Sequence, residues 1–438
     1  MKSINKLFVK YVSQNVFGMV GISFYILADT FFISLAEGAN GITALNLVLP
    51  IYSVILAIGA MIGVGSAIRF KILRAQGERE AERYFSNAIE FTLLFGVVFM
   101  VLGGMFPDRI LRLLGADAVI VQTGTAYTRI FMLFAPCFMW NHVCNAFVRN
   151  DGAPTMAMIA TVCSSLFNIV MDYVLMFPLG MGMAGAALAT AVSPIIGILI
   201  CCIHFASKKN TIRFQFGLPS VKRLLQACEL GVSAFIGEFA SGVTTVVFNV
   251  LILGLAGNVG VAAYGVIANT SLVAISVFNG VSQGSQPLFS DLYGRGDTAS
   301  VRRVLHLSIA TGVVLALIMI TLSHVLAEPI VAVFNSAGDR QMEAYAVQGI
   351  KLYFTGFLFA GFNIIGAGYL SAVAAAGWAF VASVSRGIVA IVLCALTLSV
   401  LLGLNGVWLA FPAAEMITGV VTVVGIHRSH KTGLAKKR

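Results

Sequence analysis

The sequence predicts an all-α integral membrane protein with twelve transmembrane helices in two pseudo-symmetric six-helix lobes. Three observations carry that expectation: a composition that only lipid tolerates, twelve apolar stretches of spanning length, and an internal repeat at half the chain length. Of 438 residues, 59% are hydrophobic and only 11% are charged. A soluble chain carries about a quarter charged residues, so this one lacks the polar surface to stay dissolved in water.

A membrane crossing needs roughly 20 mostly apolar residues. Such spans fall at about 12–35, 43–68, 86–106, 121–148, 155–177, 183–206, 226–254, 261–287, 303–326, 346–372, 378–402 and 405–426. The first follows Lys2, Lys6 and Lys10 and superficially resembles a signal peptide. Its apolar run continues to about Leu35 without a cleavage site, too long for a signal segment, and it reads as span 1.

The net charge of +10 does not point to nucleic acid, because no basic stripe is interleaved with stacking aromatics. Lys and Arg sit instead in short loops and at the two ends. With twelve spans both termini share one side, and that side collects 22 of the 28 basic residues. They lie in the N-terminus, the 69–83 loop, Arg149, the 207–224 loop, Arg295, Arg302, Arg303 and the C-terminal tail. The opposite loops hold only Arg109, Arg112 and Arg340. The positive-inside rule makes the rich side cytoplasmic and the protein a multi-pass resident of the cytoplasmic membrane. Seven cysteines form no CxxC pair and lie mostly in apolar runs, so they read as small hydrophobes, with no disulfide frame and no structural metal site.

Sliding the chain by 219 residues aligns Gly18 with Gly237, Gly38 with Gly257, Gly41 with Gly260, Gly65 with Gly284 and Gly77 with Gly296. Ser66 then meets Ser285, Phe70 meets Phe289, Leu73 meets Leu292 and Arg83 meets Arg302. The repeat predicts an N-terminal lobe over 1–206, a cytoplasmic linker over 207–224 and a C-terminal lobe over 225–438. Parallel repeats of this kind place a substrate path at their interface and alternate access by rocking one half on the other.

Eighteen acidic residues are present, and four lie well inside spans: Asp29, Asp172, Glu238 and Glu415. A carboxylate costs a few kcal/mol at the bilayer centre even on lenient scales. A proton or cation relieves that cost, which makes such residues functional candidates. Asp172 lies one turn beyond Asn168 on the same face of span 5. At 1.5 Å per residue, Asp29 (span 1), Tyr127 (span 4), Asp172 and Thr190 (span 6) fall within roughly 10 Å of the outer boundary, with Asn168 slightly deeper. Depth thus permits one polar cluster in the N-lobe. The competing reading for Asn168, Tyr127 and Thr190 is plain interhelical hydrogen bonding. Glu238 (span 7) and Glu415 (span 12) fall near mid-span in the C-lobe, with Arg386 (span 11) at a nearby depth. An Arg–Glu pair there serves equally as structural neutralisation.

Lesser signals accompany these. Pro50, Pro136, Pro194, Pro287 and Pro412 permit kinks, Gly280 and Gly284 form a GxxxG suited to close helix approach, and His142 is an isolated imidazole that reads as packing.

The stretch Asn168-Ile-Val-Met-Asp172, followed by Gly180-Met-Gly182-Met-Ala-Gly185 and running on to Thr190, resembles the span 5–6 signature of MATE (multidrug and toxic compound extrusion) transporters. Asp29-Thr-Phe-Phe, Tyr127, Val148-Arg-Asn-Asp-Gly152-Ala-Pro154 and Gly406-Val-Trp408 through Pro412 are similar too. The resemblance implies an antiporter that exchanges H+ or Na+ for organic, often cationic, drug-like compounds, and two lobes forming a V around a central cavity. It implies ion coupling in an N-lobe cluster matching Asp29, Tyr127, Asn168, Asp172 and Thr190, with Na+ the alternative ion at Asp29 and Asp172. Some family members add an acid on span 10 to the span 7 glutamate; 346–372 contains none, which favours the N-lobe.

The expected partners are small organic substrates and membrane lipid. A lipid-linked oligosaccharide or lipid flippase of the same architecture is the alternative. An anionic headgroup would call for several in-span bases, where this chain offers only Arg386, Arg129 and Lys351. No HExxH, GxSxG or paired protease aspartates suggest an enzyme, no cofactor is implied, and no phosphate-cradling loop suggests an ATP-binding domain.

Overall fold

The computed structural model describes residues 2–116, 118–215, 217–335 and 338–435, and these are almost entirely helical, with no strand among them. Of the basic C-terminal tail, Lys436, Lys437 and Arg438 lie outside the described residues.

Span 1 is Ile4–Glu37, span 2 Ala44–Ala75, span 3 Arg79–Met105, span 5 Pro154–Met176 and span 6 Gly182–Phe205. Span 4 is two helices, Ala118–Leu133 and Ala135–Asn150, bent by 46°. Pro136 lies in the first turn of the second helix, where its missing N–H leaves no partner wanting. Val221–Gly294 runs for 74 residues, roughly 110 Å if straight and far longer than one crossing. It breaks at Gly257, whose φ of 62° and ψ of −159° suit a residue without a Cβ, and this divides spans 7 and 8. Spans 9 to 12 are Thr298–Val325, Arg340–Ala372, Ala376–Leu402 and Leu404–Ser429. Twelve crossings result, six in each half. Span 10 begins earlier than the hydropathy suggests, at Arg340, so it does carry one carboxylate, Glu343, in its first turn. The expectation of an acid-free span 10 is corrected to that extent.

The repeat is visible in the element boundaries. The helical runs Lys2–Ala75 and Val221–Gly294 begin and end with the same 219-residue shift. After the short helices Pro107–Leu113 and Ala327–Phe334 the shift becomes 222: Ala118 matches Arg340, Ala135 matches Phe357, Pro154 matches Ala376 and Gly182 matches Leu404 as helix starts. The break in span 4 recurs in span 10 as a 3-10 turn at Phe354–Gly356. Span 11 adds a π turn at Ser385–Val389 that span 5 lacks.

The lobes meet tightly at the end that carries the basic loops, called here the basic end. Lys71 pairs with Asp291 at 3.5 Å, Arg303 donates to Asn5 at 3.1 Å and Tyr84 donates to Gln226 at 2.6 Å. Buried Arg149 donates to Asn15 at 2.7 Å and across to Gln283 at 3.1 Å, and Asn15 donates to the Gly280 carbonyl at 3.0 Å. Between these polar joints the backbones touch. A Cβ on Gly284 would lie 2.9 Å from the Tyr11 carbonyl oxygen and from Val12 Cα, and one on Gly65 would collide with the Ala227 carbonyl. The GxxxG of span 8 thus serves contact between lobes rather than within one. Behind Arg149, Asp151 accepts from His204 Nε2 at 2.9 Å and from Thr211 N at 3.0 Å, fastening the linker to the N-lobe. All seven cysteines are free, and Cys202 is exposed rather than buried.

Candidate functional site

The N-lobe cluster begins with two carboxylates. Asp172 is fully buried on span 5 and Asp29 is 8% exposed on span 1. Each has a buried Oδ1 without a protein hydrogen-bond partner among the described residues, and the two lie within electrostatic range of each other. No base is paired with either among the described residues. Orphaned buried acceptors are costly, and a proton or cation taken up at either carboxylate would relieve that cost and their mutual repulsion.

Spans 5 and 6 supply the neutral partners. The hydrogen-bond network assigns the Asn168 amide with its nitrogen donating to Asp172 Oδ2 at 3.2 Å and its oxygen accepting from Thr190 N at 3.3 Å. Asn168 therefore links Thr190 of span 6 to Asp172 of span 5. Tyr127 is buried in the cluster formed by Ala44, Val48, Phe131 and Met183, within electrostatic range of both aspartates. All five sequence candidates thus fall in one region; hydrogen bonds link three of them directly.

Two tyrosines join them that sequence reasoning did not single out. Tyr25 and Tyr52 share a hydrogen bond at 3.4 Å, and both lie within electrostatic range of Asp29. Tyr25 precedes Asp29 by one helical turn, an i, i+4 relation that was available as a signal. Tyr52 had none, because it arrives from span 2.

The three C-lobe candidates separate. Glu415 is 2% exposed, and Arg386 Nε donates to its Oε1 at 2.6 Å. Asn363 donates to its Oε2 at 2.8 Å and to its main-chain oxygen at 2.7 Å, and itself accepts from Thr422 at 3.0 Å. Both carboxylate oxygens are taken, so this pair is closed. Asn363 completes it and was not foreseen, since asparagines in spans are common interhelical glue. Glu238 stands apart, half-buried and in no ion pair among the described residues, within electrostatic range of Tyr25 in the opposite lobe.

Comparison with known proteins agrees with this architecture. The MatE family model matches residues 16–174 and 234–396, one segment in each half. The multidrug export protein MepA of Staphylococcus haemolyticus is 28% identical over 95% of this chain and 91% of its own length. MepA of Staphylococcus saprophyticus is 25% identical over 92% and 89%. Among solved structures, an outward-facing multidrug resistance MATE family transporter of the MOP superfamily superposes with a TM-score of 0.91 at 21% identity, covering 99% of this chain and 97% of that one. A MOP superfamily transporter from Pyrococcus furiosus superposes at 0.89, with the same identity and coverage. With both repeats matched across most of the chain, this multi-pass membrane protein belongs to the MatE family.

Proposed function

We propose that the chain is a secondary-active multidrug exporter that exchanges H+ or Na+ for organic, cationic compounds, with the ion held by Asp29 and Asp172. The observation that carries the reading is the pair of buried carboxylate oxygens without a protein partner among the described residues, with Asn168 donating to Asp172 beside them. The multidrug-export relatives support the substrate class.

The basic end is taken as cytoplasmic by the positive-inside rule. The tight lobe contacts there then make this an outward-open arrangement. In the inward-open state the 1–206 and 225–438 lobes rock about the 207–224 linker, and the Arg149–Gln283 and Asn15–Gly280 bonds separate. Ion binding drives the exchange only if its affinity differs between the two states. Tyr25 and Tyr52 position the Asp29 side of the site. Glu415 and Arg386 brace the C-lobe, and Glu238 supplies unpaired negative charge that favours a cationic substrate.

The test is efflux of ethidium from cells expressing wild type, Asp29→Asn or Asp172→Asn, with the proton and sodium gradients collapsed separately. The expected outcome is export lost in both variants and under one collapse, which names the ion. Uphill export by a well-inserted Asp29→Asn protein would refute the coupling role.

A further inference from the structure

We propose that a groove at the end of the C-lobe opposite the basic end binds a phospholipid whose headgroup carries both a phosphodiester and an ammonium, as phosphatidylethanolamine does. The groove has a volume of about 690 Å³ and lies between the short helix Ala327–Phe334 and the start of span 10. Two bases, Arg340 and Lys351, and two acids, Glu328 and Glu343, line it beside apolar Val347 and Leu352. None of the four forms an ion pair among the described residues. Opposite charges that share a groove without pairing leave room for a ligand carrying both signs. An anionic lipid would place its phosphate before two carboxylates with nothing to offer them, whereas a zwitterion satisfies all four.

Depth supports a lipid rather than a soluble ligand. Arg340–Ala372 is 33 residues long, roughly 50 Å against a hydrocarbon core of about 30 Å. Its first turns therefore stand in the headgroup layer, and Lys351 roots about 16 Å further in, from where a lysine stem reaches back to the interface. The helices that neighbour span 10 here carry exposed apolar side chains fit for acyl chains: Leu322 and Val325 of span 9, and Val333 of the short helix, which is 79% exposed.

The repeat provides an internal comparison. The 222-residue shift puts Arg129 at the Lys351 position, and the short-helix starts Pro107 and Ala327 put Asp108 at the Glu328 position. In the N-lobe Thr125 donates to Asp108 at 2.6 Å, whereas the residue corresponding to Thr125 is Val347, which offers Glu328 nothing. Arg340 and Glu343 correspond to Ala118 and Val121. The full set of two bases and two acids thus belongs to the C-lobe alone.

The experiment is native mass spectrometry on delipidated full-length protein, titrated with phosphatidylethanolamine, phosphatidylglycerol or free phosphoethanolamine. The expected result is phosphatidylethanolamine retained about tenfold more tightly than phosphatidylglycerol, equivalent to about 1.4 kcal/mol. Lys351→Met and Glu343→Gln should each remove that preference, while Arg129→Met keeps it. Should Lys351→Met fail to fold, Glu343→Gln and Glu328→Gln decide the matter. Equal retention of the two lipids, or a preference untouched by these variants, overturns the proposal. Equal binding of free phosphoethanolamine overturns the lipid assignment in favour of a soluble zwitterion.

Discussion

The N-lobe cluster and its repeat-related counterpart in the C-lobe occupy the same places in the same fold and are chemically opposite. The 219-residue shift carries Asp29 onto Phe248, and the 222-residue shift carries Tyr127 onto Gly349, Asn168 onto Ala390, Asp172 onto Cys394 and Thr190 onto Pro412. Phe248, Ala390 and Cys394 lie together in one apolar cluster with Tyr264, Tyr353, Trp408 and Phe411, where Tyr353 stacks on Phe411 at 4.2 Å. Conversely, Arg386, Glu415 and Asn363 fall on Ser164, Ser193 and Asn141 of the N-lobe. There a single Ser164 Oγ bond to the Ser193 carbonyl at 2.6 Å replaces the ion pair. The two loci therefore fall at different positions of the repeat, and they differ in pairing rather than burial. Asp172 and Glu415 are buried almost equally, at 0% and 2% exposed, yet only the second has both oxygens bonded. The lesson is that burial alone does not separate the two loci, whereas the presence or absence of a bonded partner does.

That contrast can be broken most forcefully in the C-lobe. Arg386→Met leaves Glu415 buried without its base and should destabilise by about 3–5 kcal/mol, read as a large fall in thermal midpoint in detergent. Adding Glu415→Leu should restore most of it, since an apolar pair of similar volume replaces a buried ion pair at little cost.

A smaller effect is expected where the lobes touch. Gly284→Ala forces the span 8 backbone off span 1 and should cost about 1–3 kcal/mol of the closed basic-end state. Cysteine labelling at position 283 should then rise, and unchanged labelling would show that these glycines do not hold the lobes shut.

The smallest stability change belongs to the N-lobe. Asp172→Asn removes an unsatisfied carboxylate while the Asn168 neighbour persists, so stability should stay within about 1 kcal/mol of wild type or rise. A loss as large as that of Arg386→Met would mean Asp172 is structural after all, and the contrast between the lobes would fail.

Much of this was readable in the linear chain. Asp29 and Asp172 stood out because a carboxylate inside an apolar run has a large insertion cost, and that cost is a property of the run itself. The repeat and the twelve crossings were legible for the same reason, glycines and apolar runs being countable without a structure. The fates of Glu238 and Glu415 were not legible, since both are single acids at mid-span and their difference lies in Arg386 and Asn363, which arrive from other spans. Tyr52 escaped notice likewise. The sharp break of span 4 was hinted at by Pro136 alone.

By itself, then, the amino-acid order determined the membrane as solvent, the number of crossings, the two-fold repeat and which carboxylates lie inside apolar spans, because each follows from local composition and spacing. Only the tertiary structure decided which of those carboxylates are neutralised, which helix faces bring Tyr25 and Tyr52 beside Asp29, and at which end the lobes close. Pairing and contact are relations between distant segments, and they are set by how helices pack once every backbone polar group has been satisfied within its own helix.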